Sequence, residues 1–155
     1  MKAIGIAAVL MLASASAGRA EPQGTPQQWL LMEIREERIT AFEVSGIRTM
    51  GNVRRGWYII VNRERDDQGS DYSLNSFDLD CVEETFRLRS IALYSLDGSS
   101  VETFRPDSPA EPVIPGSGGH LLYQNVCVGL DLGETISATS GDFARQTRVY
   151  LSEPR

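Results

Sequence analysis

A single pair of cysteines, Cys81 and Cys127, constrains this 155-residue chain more than any other feature. Bonded, they tie together two segments 46 positions apart; reduced, they are two small apolar side chains in a core. The N-terminus bears on that choice. Met1-Lys2 supplies a positive start, Ala3 to Ala13 is an uncharged apolar run, and Ser14 to Ala20 adds small residues before Glu21-Pro22. This order matches a secretory signal peptide over residues 1–20, cleaved after Ala20, with Ala17 as the second choice. An apolar run of 11 residues is too short for a membrane-spanning helix, which needs about 20. No cysteine lies near either cleavage point, so a lipid anchor is not expected. The expected location is outside the cytosol, in a periplasm, in the medium or at a cell surface. An oxidising compartment favours a bond between Cys81 and Cys127, with two free buried thiols as the alternative. The spacing is not that of a C-x-x-C redox pair.

Loss of residues 1–20 removes the only lysine and leaves 13 arginines against 21 acids, a formal charge of −8. That is the wrong sign for nucleic acid or anionic lipid. With one histidine and two cysteines there are too few soft ligands for a typical zinc site, and no cofactor is expected.

Residues 21–28 are polar with two prolines and read as a flexible lead-in. Short β-type runs follow: Trp29 to Ile34, then Ile39 to Val44 with a break at Ser45-Gly46, then Ile47 to Met50. Gly51-Asn52 and Arg54-Arg55-Gly56 read as turn material before Trp57 to Val61, the expected central strand. Asn62 to Asp71 is a polar hairpin connection. Beyond it Tyr72 and Leu74 occupy even positions whereas Phe77, Leu79 and Cys81 occupy odd ones. Such a change of phase predicts a bulge or bend near Asn75-Ser76. Phe86 and Leu88 alternate with Arg87 and Arg89, and Asp97-Gly98 marks a tight hairpin before Val101 to Arg105. Residues 106–119 hold four prolines and three glycines and read as a loop without regular structure. Leu121, Leu122, Asn125, Val126 and Cys127 fall at helical spacings, with Ser117 as the cap. Arg148 to Leu151 reads as a last edge strand. The expectation is an α+β, mainly β, single domain over 29–151, with a tail at 152–155. Its core is an antiparallel meander of about five to six strands, with a short helix on one face and one disulfide.

Candidate chemistry is sparse. A Ser-His nucleophile has only His120 as base, and no G-x-S-x-G elbow is present. His120 reads as a helix-start surface residue. Gly116-Ser117-Gly118-Gly119 lacks the Lys-Ser/Thr of a phosphate loop. Asp78 and Asp80, two apart in a strand, share a face and read as its wet side, although such a pair can also bind Ca²⁺ or exchange protons. Asp66, Asp67 and Asp71 read as a solvated loop without EF-hand spacing. Glu83-Glu84 beside Arg87 and Arg89 read as surface ion pairs. Trp57, Tyr58, Phe77, Phe86 and Tyr94 read as core or cross-strand partners.

From Phe42 to Val128 a pattern accumulates. Phe42-Glu43-Val44 and Ile47 precede Gly51-Asn52, the strand Trp57-Tyr58-Ile59-Ile60 and Tyr72-Ser73. Then come Phe77-Asp78-Leu79-Asp80-Cys81, Phe86-Arg87-Leu88, Tyr94 to Gly98, Pro112 to Ser117 and Val126-Cys127. Over a little more than half its length the chain resembles the surface-adhesin protein E family of small exported bacterial proteins. The resemblance implies an antiparallel sheet with a helix on one side and a disulfide joining strand to helix. It also implies a non-enzymatic domain that binds a protein or polymer. A soluble periplasmic structural or assembly accessory is the alternative expectation. The expected state is a monomer or weak dimer.

Overall fold

A computed structural model describes residues 24–153. The expected signal peptide and the last two residues of the expected tail lie outside the described residues.

The strands are β1 (Gln27–Ile34), β2 (Arg38–Met50), β3 (Val53–Asn62), β4 (Tyr72–Asp80), β5 (Thr85–Tyr94), β6 (Ser100–Phe104), β7 (Glu111–Pro112) and β8 (Thr135–Ala138). They form one sheet in the order β6-β5-β4-β3-β2-β1-β8, with β7 beside one end of β5. All pairings are antiparallel, as the short connections between consecutive strands β1 to β6 require of those pairs. Helix α1 (Gly118–Tyr123) runs into a π-helical turn over Gln124–Val128, and α2 (Ser140–Ser152) closes the described chain. Cys81 and Cys127 are bonded, their Cα atoms 5.4 Å apart, which fastens the end of β4 to the turn after α1. The antiparallel meander, the short capped helix and the disulfide agree with the expectations drawn from the sequence. The Ser117 hydroxyl caps α1 by accepting from His120 N–H at 3.2 Å.

The sheet is covered on both faces, at different ends. On one face Trp29, Ala41, Ile59, Val61 and Tyr72 pack with Phe143 and Ala144 of α2. On the other, Leu30, Phe42, Phe77 and Leu79 pack with Leu122 of α1. This explains the change of phase in β4. Its register against β3 is unbroken from Val61↔Tyr72 to Val53↔Asp80. The strand itself has no bulge; Tyr72 and Leu74 serve the α2 face, Phe77 and Leu79 the α1 face. The irregularity falls in the neighbour, where Arg89 of β5 is the extra residue between Ser76↔Ser90 and Phe77↔Leu88.

Several local expectations are corrected. Arg54-Arg55-Gly56 lies inside β3, because the expected Gly51-Asn52 turn, with Gly51 at φ 62°, is enough to reverse the chain between Met50 and Val53. The Ser45-Gly46 break is a wide bulge within continuous β2, which places residues 44–47 opposite Gly56. Gln27 and Gln28 of the expected lead-in pair with β8, and Glu111–Pro112 of the expected loop pairs with β5. Arg148 to Leu151 is helical, not an edge strand. Thr139 caps α2 by accepting from Asp142 N–H at 3.2 Å, and Phe143, Ala144, Thr147 and Leu151 recur on one buried side. Burial of that stripe outweighs the β propensity of Val149 and Tyr150.

Candidate ligand cavity

On the α2 face, a cavity of about 550 Å³ opens where the sheet, the start of α2 and the incoming chain meet. Each wall follows from a local feature. Tyr72 and Tyr94 are directly paired across β4 and β5. Their rings stack at 5.2 Å and 14°, and with Leu74 they give the apolar side. Gly98 comes from the tight β5–β6 turn, where φ is 83°. Ser140, Gly141 and Arg145 of α2 form the opposite wall, and Gly24 to Gln27 the rim.

Glu43 supplies the negative charge. It sits in β2 between Trp29 of β1 and Trp57 of β3, on the same face as Ala41. The bulge that follows brings Ser45 back, and its hydroxyl donates to Glu43 Oε1. Ser45 Oγ in turn accepts from Gln28 N–H at 3.4 Å. Only 3% of Glu43 is exposed. A Cβ on Gly46 would overlap the Glu43 carboxylate, so any side chain there would have to displace Glu43.

Arginine pairs hold the α2 wall in place. Arg145 donates to Leu96 O at 3.1 Å and to Asp142 Oδ1 at 2.6 Å. Together with the Thr139 hydroxyl, which contributes most, Arg145 lowers the Asp142 carboxyl below the usual carboxylate range. Arg148 donates to buried Asp71 at 2.7 Å. Burial pushes the Tyr72 hydroxyl up to about 12. Burial does the same for Tyr58, also up to about 12, on the other face.

The residues singled out from the sequence are dispersed. Asp78 accepts a bidentate pair from Arg55 at 2.6 and 2.8 Å, with Arg89 at 3.6 Å. Asp80 receives the backbone N–H groups of Val82 and Glu83, so the two aspartates are used separately. The expected Glu83-Glu84 pairing with Arg87 and Arg89 is replaced: Arg89 turns to Asp78, and Glu84 accepts from the Tyr123 hydroxyl at 3.1 Å. Asp66 folds its loop by accepting from Gln68 N–H and Ser70 N–H. Asp71, expected in solvent, is only 2% exposed. His120 Nδ1 accepts from Gly116 N–H, and His120 does not line the cavity. Phe77 is fully buried and stacks on Phe86 at 5.7 Å, while Trp57, expected as core or cross-strand partner, pairs across strands with Glu43 and Ser76 and is 39% exposed. Among the described residues no group of three or more His, Cys, Asp or Glu is placed to hold a metal ion. No helix of the described residues is long and apolar enough to cross a membrane.

Sequence reasoning did not single out Glu43. The signal was present: an acid continues the odd-numbered phase of Ile39 and Ala41, where an apolar residue is due. Comparison with family models, curated proteins and solved structures finds no match to this chain.

Proposed function

We propose that this chain is an exported, non-enzymatic binding domain of the surface-adhesin E type, which engages a protein or polymer through the cavity beside α2. The supporting observation is the cavity itself: an aromatic and apolar side, polar residues around it, and Glu43 as its one acid, carried on rigid strands. The disulfide is compatible with export, since such bonds persist in oxidising compartments. The adhesin resemblance rests on the residues quoted from Phe42 to Val128.

The test uses an occluding variant. At Gly141 a Cβ meets Arg145 at no less than 3.5 Å, so Gly141→Phe fills the cavity from a helical position without backbone strain. Immobilised disulfide-bonded protein is exposed to envelope extracts and to matrix proteins. The expected result is a retained partner that Gly141→Phe loses; equal retention by both proteins overturns the cavity as the binding site. Protease shaving of intact cells separates the two settings. Release from intact cells supports adhesion, whereas release only after the outer membrane is broken supports a periplasmic accessory role.

A further inference from the structure

We infer that the cavity recognises an alkylammonium group, with Glu43 as its counter-ion and the Tyr72–Tyr94 stack as its wall. This deepens the binding reading above and rests on it. Among the described residues, two carboxylates are buried, Asp71 and Glu43. Asp71 has Arg148 at 2.7 Å and Arg65 at 3.3 Å. Glu43 has a hydroxyl and no cation. A carboxylate removed from water is costly unless paired, and this one borders an open cavity that a cation can enter.

The surroundings select the kind of cation. Ser45 occupies one carboxylate oxygen, which disfavours the two parallel bonds of a guanidinium. Metal ions such as Ca²⁺ take six or more oxygens, and Glu43 is the one carboxylate that lines this cavity, whose walls also include tyrosine rings and Leu74. An ammonium on a short hydrocarbon stem fits such a lining: its charge meets Glu43, and its stem meets the apolar wall of the cavity. The cavity's own arginine is committed elsewhere, Arg145 being bound to Asp142 and Leu96.

Two sources can bring that group. One is an incoming amine, free or on a lysine side chain. The other is the chain's own α-ammonium, if cleavage follows Ala20: Gly24 lies at the rim, and Glu21 is three residues upstream, about 10 Å of extended chain.

The experiment titrates pentane-1,5-diamine and the neutral pentane-1,5-diol, by calorimetry, into disulfide-bonded protein beginning at Glu21. The N-terminus is either free or acetylated. The expected result is at least tenfold tighter binding of the diamine to the acetylated protein, with the preference abolished by Glu43→Gln. Equal diamine affinity for both termini assigns the site to an incoming amine; binding to the acetylated form alone assigns it to the chain's own terminus. Diamine and diol binding alike in both proteins, or a preference that survives Glu43→Gln, overturns the inference. Tyr94→Leu is the second variant should Glu43→Gln fail to fold, and undiminished diamine affinity there overturns it too. If the diamine fails while Gly141→Phe still abolishes partner capture, the cavity reading stands and only the ammonium assignment falls.

Discussion

Arg148 Nη2 donates to Asp71 Oδ1 at 2.7 Å, a contact between residues 77 positions apart that fastens α2 to the loop between β3 and β4. The other oxygen of Asp71 accepts Leu96 N–H at 2.9 Å, so one carboxylate ties the loop, the β5–β6 turn and the last helix together. Removing one partner of a buried pair strands the other and costs about 3–5 kcal/mol. Asp71→Ala is therefore expected to destabilise the fold by roughly 3 kcal/mol. Arg65 and Arg148 changed singly should each cost less than Asp71, with Arg65, 63% exposed, costing least. Urea denaturation of the three variants checks the order.

The Cys81–Cys127 bond closes a 46-residue separation. In the loop-entropy description, opening it costs about 4 kcal/mol. The double variant Cys81→Ala/Cys127→Ala should show this loss in chemical denaturation. Alkylation of both thiols in native protein without reductant would contradict the bond, and mass spectrometry reads that directly.

Gly56 sits where β3 faces the bulge of β2. A Cβ there would stand 2.5 Å from Ile47 Cδ1 and 2.9 Å from Phe77 Cζ. Overpacking of this kind costs about 1–3 kcal/mol, so Gly56→Ala should lower stability by that amount. Ile47→Val deletes the nearer atom and should recover part of the loss. A Gly56→Ala protein as stable as the parent would mean that Ile47 and Phe77 do not crowd this glycine.

Tyr72 and Tyr58 hold their hydroxyl protons up to about 12 because burial opposes the phenolate. Their unfolded values lie near 10. Each therefore contributes stability that is fully present below about pH 10 and is lost as pH rises toward 12. The loss is on the order of 2 kcal/mol per buried tyrosine. Denaturation between pH 8 and 12 should show a decline that Tyr58→Phe and Tyr72→Phe each reduce. A parent protein whose stability is flat across that range would refute the burial of both phenols.

Much of the β architecture was legible in the chain. Trp57 to Val61 is the middle of the sheet, Asp97-Gly98 turns a hairpin, Ser117 caps a helix, and Cys81 meets Cys127, because each depends on nearby residues or on a unique pair. Three things depended on the tertiary structure. The alternation in β4 shows where apolar side chains sit, but two helices on opposite faces decide which side counts as inside at each end of the strand. Residues 148–151 have the composition of a strand and become helix because Phe143, Ala144, Thr147 and Leu151 find a sheet to cover. Glu43 reads as one acid among 21 until β1, β2 and β3 place it between two tryptophans, at the edge of a cavity whose other walls come from remote parts of the chain. Local sequence sets propensity and periodicity; burial and charge pairing arise only when distant segments share the same space.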